Sequence, residues 1–250
     1  MSSGVRADFP KDVLLLMKEV KNKRHPWRLC SRGFHYRGGT TQKFGLGTPD
    51  ISPVYLPPAV WKCVRATSKK DLLHSEEIIV MSAIYFGHLS GLPKADELEF
   101  KNGNDQDWLI RGWTCYWNEV LEPKDELDAN IVKALIASES SFKVSPKKTL
   151  GKGLMQLRES TRRILSDEKG EIKDHYIICN KKDILDPSTN ICAGIRWLHH
   201  KQKLTSKKMG RLATWEEAVA DYKSYLKEYI KNPSHRGMGT FRKYYERLSE

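Results

Sequence analysis

Apolar positions recur at intervals of three and four along most of this chain, and stretches of strict alternation are scarce. That pattern predicts a mainly α protein. Residues 9–24 read as an amphipathic helix. Residues 75–89 read as a second, with Ser75 as its cap and Glu76 and Glu77 in its first turn. A third covers residues 105–121, anchored by Trp108, Leu109, Trp113, Trp117 and Val120, whose bulk suits a core better than a ligand platform. Residues 31–60 are rich in Gly, Pro and Thr and read as a long loop. Pro123-Lys124-Asp125-Glu126 marks a joint that divides an N-terminal region, 1–125, from a second unit, 126–250.

The second unit reads as a series of helices. One spans residues 128–138, with Ile131, Val132, Leu135 and Ile136 at helical spacing. Gly153 opens another, with Leu154, Leu157, Thr161, Ile164 and Leu165 along one side. Asp186-Pro187-Ser188-Thr189 is a helix start, followed by Ile191, Ile195 and Leu198. Thr214-Trp215-Glu216-Glu217 fits a capping box, and Ala218, Val219, Tyr222, Leu226 and Ile230 continue from it. Residues 241–248 form a last short helix.

Composition narrows the class. The chain has 250 residues, 39% hydrophobic and 30% charged, which fits a globular protein and not a disordered one. No transmembrane segment is expected, because no run approaches the roughly 20 apolar residues that a bilayer requires. Val13-Leu14-Leu15-Leu16-Met17 is too short and too closely flanked by charge to read as a secretion signal. Action outside the cytoplasm would then need a specialised route, or a signal already trimmed away.

The formal net charge is +12, of which +3 falls in residues 1–125 and +9 in residues 126–250. A basic second half predicts an anionic partner, either nucleic acid or an acidic cell-wall polymer. No recognition helix or RNA-binding signature accompanies the charge, so nucleic acid is not the expected partner. The five cysteines, Cys30, Cys63, Cys115, Cys179 and Cys192, form no C-x-x-C pair. Cys179 and Cys192 are near enough in sequence to pair, but buried free thiols fit better. His199 and His200 are adjacent, so they point to different helix faces, and no H-E-x-x-H motif exists. No metal or cofactor is expected.

The most informative residue is Glu139. It follows Ile136 by three, Leu135 by four and Val132 by seven, so it shares the face its helix turns inward. Ser138-Glu139-Ser140-Ser141-Phe142 also reads as a final helical turn before Pro146. Desolvation and the negative end of a helix both favour a carboxylic acid that keeps its proton, the property a general acid needs. The alternative is a buried carboxylate satisfied by a neighbouring Lys or hydroxyl. Shortly after it, Gly151-Lys152-Gly153-Leu154-Met155-Gln156 offers a tight turn, an apolar contact and an amide.

These features, in this order, resemble the soluble lytic transglycosylase family, relatives of goose-type lysozyme. Ala137-Ser138-Glu139-Ser140-Ser141-Phe142 is similar to the family's catalytic Glu-Ser stretch. Ser145-Pro146, then Gly151 to Leu157 and Ser160-Thr161, is similar to its Ser-Pro and Gly-Leu-Met-Gln segment. Asp186-Pro187-Ser188-Thr189-Asn190-Ile191-Cys192-Ala193-Gly194 is similar to its Asp-Pro-x-x-Asn-Ile-x-x-Gly. Trp215, Ala218, Ala220 and Tyr222 are similar to the helix that ends in Tyr-Asn-Ala-Gly. The likeness covers about residues 126–230.

The resemblance implies a lysozyme-like helical catalytic domain with an N-terminal helical extension, and peptidoglycan as substrate. It implies that Glu139 first protonates the bridging oxygen and then, as a base, drives the muramyl C6 hydroxyl onto C1 to leave a 1,6-anhydro end. It places Ser145 near the reacting sugar, Met155 and Gln156 along the cleft, and Tyr222 in a hydrogen bond near Glu139. Asn190 reads as a helix cap. Two departures stand out. Lys147-Lys148-Thr149-Leu150 alters the spacing before Gly151, and Tyr222-Lys223-Ser224-Tyr225 lacks Asn-Ala-Gly, which predicts continued helix in place of the glycine turn.

A hydrolytic muramidase is the nearest alternative, but it needs a second carboxylate. Glu159, Asp167, Asp174 and Asp183 are present without a defensible spacing. A catalytically degenerate peptidoglycan-binding module is the alternative of another class. A role as a secreted antibacterial effector or phage lysin would place action in the periplasm or cell wall. It would add a secretion-apparatus component and an immunity or inhibitor protein as partners.

Overall fold

The computed structural model describes residues 27–29, 35–37, 71–75, 78–79, 82–83, 86, 98, 100–146 and 150–249. The expected helix over 9–24 lies outside them. Of residues 75–89, positions 75, 78–79 and 82–83 have helical backbone.

The described chain is mainly α. Its elements are β1 (Trp27–Leu29), β2 (His35–Arg37), β3 (Asp71–His74), α1 (Asp107–Leu121) and α2 (Ala129–Ser140). They continue with α3 (Glu159–Leu165), β4 (His175–Ile178), a 3-10 turn at Asp183–Leu185, and α4 (Pro187–Met209). Last come α5 (Trp215–Tyr222), α6 (Leu226–Lys231) and α7 (Arg236–Ser249).

Helix α4 is the axis of the fold. The Asp186 carboxylate accepts from Thr189 N at 2.7 Å, Pro187 occupies the first turn, and Gly210 closes the far end at φ 65°. Residues 188–200 of this helix are all buried, as expected of a helix surrounded by its own protein. Helix α1 lies against it. Trp113 Nε1 donates to Ser188 Oγ and Trp117 Nε1 donates to Cys192 O, each at 2.9 Å. Both indoles are thereby satisfied in the core, consistent with the packing role their spacing predicts. Helix α2 starts on Asp128, whose carboxylate accepts from Asn130 N. It packs on α7, where Asn130 Nδ2 donates to Leu248 O at 3.0 Å. The capping box on α5 is complete in both directions. Cys179 and Cys192 are buried free thiols.

Four local expectations change. Gly153 does not open a helix; residues 151–157 fold into a tight turn, and α3 begins only at Glu159. The helix from Trp215 ends at Tyr222, because Ser224 adopts φ 65° and Tyr225 N donates to Ala220 O, so Leu226 and Ile230 belong to the separate α6. The turn is thus made without glycine. Within the predicted loop 31–60, residues 35–37 form β2, antiparallel to β1. Finally, β3 pairs in parallel with β4, Asp71 with His175 through His74 with Ile178. A four-residue parallel pair between partners so far apart leaves no local signature.

Two tests follow from the core. Lys133 is fully buried and pairs with the buried Asp107 at 2.9 Å. Lys133→Ala removes the ammonium that neutralises a buried carboxylate, and urea unfolding should register a loss of about 3–5 kcal/mol. The double replacement Lys133→Met with Asp107→Leu should recover most of it. The second test concerns His199, packed edge-on to Trp215. Burial first, and the charge of Arg196 second, push its pKa from 6.5 down to about 3. The unfolded chain therefore binds a proton that the folded chain refuses, so stability is complete above the unfolded pKa and falls as the pH drops through that window. Burial acts on His200 in the same direction. Between about pH 7 and about pH 5, above most carboxylate titration, the melting temperature should fall, and His199→Gln should flatten the slope.

Candidate active site

Glu139 is the penultimate residue of α2, where the helix predicted from periodicity does end. Ser141 and Phe142 then take φ 50° and φ 59°, which turns the chain sharply out of the helix. Phe142 is buried and packs on Phe100, its ring 5.4 Å away. The carboxylate is left at a wall and not in the core.

The opposite side is the 151–157 turn. Lys152 and Leu157 exchange backbone hydrogen bonds of 2.9 and 3.0 Å, and Gly153 sits at φ 71°. The turn is held by Asn190, which is fully buried. Its Oδ1 accepts from Met155 N at 2.7 Å; its Nδ2 donates to Lys152 O at 3.0 Å and Ile184 O at 2.8 Å. The cap of α4 is Asp186, so the capping role expected of Asn190 is corrected: it is a clamp between helix and turn. A Cβ on Gly153 would lie 2.1 Å from Asn190 Nδ2, so only glycine admits the clamp. Gly194, one helical turn further along, leaves room for Met155, whose Sδ would lie 2.2 Å from an added Cβ.

Between these walls lies an open groove of about 360 Å³. Glu139, Gln156, Trp197, Lys201, Tyr222 and Lys223 are among its lining residues. Lys201 Nζ sits 5.1 Å above the Trp197 ring. Tyr222 OH donates to Met155 O at 2.6 Å, and burial first, then the charge of Glu139, raise its pKa well above the ordinary value. The hydroxyl therefore stays protonated and acts as a donor. Glu139 itself is paired: Lys223 Nζ donates to its Oε1 and also reaches Ser138 Oγ at 3.2 Å. Both side chains of the ion pair keep some exposure to the groove, 10% for Lys223 and 19% for Glu139.

The positions expected from sequence divide as follows. Glu139, Gln156 and Tyr222 meet in the groove. Gln156 takes φ 50° and its Nε2 donates to Gly153 O at 2.7 Å. Met155 is fully buried and contributes its backbone oxygen to Tyr222. Ser145 is exposed and outside the groove lining. The two alternatives open for Glu139 are both realised in part, since it has a lysine partner and also faces an open groove. Sequence reasoning missed Lys223, Trp197 and Lys201. Lys223 is visible only as a departure from the family's motif; nothing in its spacing shows that it reaches a residue 84 positions earlier.

The groove thus has an acid at a helix end on one side and a glycine turn on the other. Residues 116–238 match the family model for the transglycosylase SLT domain, so this segment carries a domain of the lytic transglycosylases, which cut the glycan strands of peptidoglycan. The matched segment begins inside α1. No curated protein and no solved structure matches the chain.

The clamp gives a direct test. Asn190→Ala leaves an amide and two carbonyls without their partner and should cost about 1–3 kcal/mol in urea unfolding. It should also sharply reduce solubilisation of purified cell walls, because the turn carrying Gln156 loses its anchor. Gly153→Ala should have the same sign in both measurements.

Proposed function

We propose that Glu139 is the general acid and then the general base of a non-hydrolytic cleavage between N-acetylmuramic acid and N-acetylglucosamine. The observation that carries this reading is the position of Glu139 in the groove, as the one carboxylate among the described residues that line it. In the first half of the reaction its proton goes to the bridging oxygen as the bond to C1 breaks. In the second, the carboxylate takes the proton of the muramyl C6 hydroxyl while that oxygen bonds to C1, leaving a 1,6-anhydro end. Proton count is restored and no water is consumed. A water-directing second carboxylate, which an inverting hydrolase requires, has no counterpart among the described residues of the lining. Trp197, with Lys201 over its ring, lines the groove. The Tyr222 hydroxyl, by holding Met155 O, fixes the wall opposite the acid. The finer role of antibacterial effector or phage lysin belongs to the same proposal, supported by the net +9 of residues 126–250, which suits an anionic wall.

The Lys223 ammonium must leave Glu139 before the acid can act, so the ligand-free arrangement is a resting one. This same ion pair favours the second reading, a module that binds glycan without cutting it.

Purified peptidoglycan separates the readings. The expected result is release of muropeptides whose masses lack the added water of hydrolysis, with release abolished by Glu139→Gln. Undiminished digestion by that variant would remove Glu139 from its role, and hydrated products would replace the transglycosylase with a muramidase. Lys223→Asn should speed release by about fivefold, the rate equivalent of about 1 kcal/mol of ion pairing. Glycan binding without release by either the parent chain or Lys223→Asn would establish the binding module.

A further inference from the structure

Helix α4 has a second face away from the groove. Trp197 and Lys201 turn toward the groove, whereas Arg196, His199, His200 and Lys203, at spacings of three, four and seven, border a separate cavity of about 340 Å³. Both histidines border this cavity, although their rings diverge as expected of neighbours on a helix, His199 against Trp215 and His200 against Trp197. Val120, Leu121 and Pro123 supply an apolar wall, and Glu171 and Asp174 stand at the exposed rim.

Arg196 is the unusual member. It is only 7% exposed, yet among the described residues no carboxylate lies within ion-pair distance of it. Its Nε donates to His175 O at 2.9 Å and its guanidinium lies 5.7 Å from the centre of the Trp117 ring, but its two terminal nitrogens have no hydrogen-bond partner among the described residues. Burial lowers its pKa from 12.5 to about 10, which leaves it a cation at neutral pH. Beside it, His199 Nε2 is buried without a hydrogen-bond partner among the described residues. His200 Nε2 lies 3.2 Å from Glu171 Oε2. The free side of this guanidinium borders the cavity, where a ligand could supply the acceptors that the described residues do not.

We propose that this cavity binds a small zwitterion of the α-amino-acid class, its carboxylate on Arg196 and its ammonium at Glu171 and Asp174. The planar guanidinium matches a carboxylate through paired donors, and the rim carboxylates supply the opposite charge. The apolar wall takes a small side chain. Among the described residues no group of three His, Cys, Asp or Glu side chains is arranged to hold a metal ion, so the histidines serve here as neutral walls and hydrogen-bonding groups.

The test is an NMR titration of the full chain with three probes: alanine, which carries both charges, acetate, which carries only the carboxylate, and alaninamide, which carries only the ammonium. Alanine should shift the ring signals of His199 and His200 saturably, acetate more weakly, and alaninamide not at all. Arg196→Gln should weaken alanine by at least about tenfold. Because that variant alters a buried side chain, a second one acts at the exposed rim: Glu171→Gln with Asp174→Asn should weaken alanine while leaving acetate unchanged. The assignment is overturned by the absence of a saturable shift with alanine at about 100 mM, a concentration that detects even weak ligands. Alaninamide binding as well as alanine, or alanine affinity indifferent to the rim substitutions, would overturn it equally.

Discussion

The geometry of the cleft depends on one buried carboxamide. Asn190 has no water to turn to, so each of its polar atoms must be matched inside the protein, and the matches it finds are the backbone of the Gly-Leu-Met-Gln turn and the 3-10 segment before α4. Those bonds set where Met155 presents its carbonyl, and that carbonyl sets where the Tyr222 hydroxyl points. Glu139 arrives from a different helix and is not touched by the clamp, but its distance from the opposing wall is decided by it. The wall opposite Glu139 is therefore anchored on α4, while Glu139 itself is carried by α2, which packs on α1 and α7.

Much of this was legible. The Asp186 start of α4 and the Thr214 capping box are local chemistry written in four consecutive residues, and local signals survive into the fold. The placement of Glu139 at the end of an inward-facing helix was also readable, because periodicity and the Ser-Ser that follows act over a single turn. The turn at 151–157 is legible in its two glycines, but Leu154 and Leu157 keep an apolar spacing that a helix from Gly153 would also satisfy. What decides it is Asn190, 35 residues away from Met155, and no window on the sequence contains both. The Lys223 contact with Glu139 was illegible for the same reason at greater range.

The lysine at 223 replaces a neutral amide in the family's motif with a permanent positive charge on a flexible stem. At the groove wall that side chain lies on the carboxylate and keeps some exposure to the groove. The bent segment at Ser224 supports this by ending α5 just past Tyr222, so the lysine stem springs from a helix terminus and not from a packed face.

The parallel pairing of β3 with β4 has a consequence for how the chain is made. An antiparallel hairpin can close as soon as its second strand leaves the ribosome, but residues 71–74 must wait for residues 175–178. During that interval Leu72 and Leu73 present an unpaired edge while the intervening hundred-odd positions are still being synthesised, and closing so long a loop is entropically slow. Nascent chains stalled before position 178 should thus be the species most in need of a chaperone.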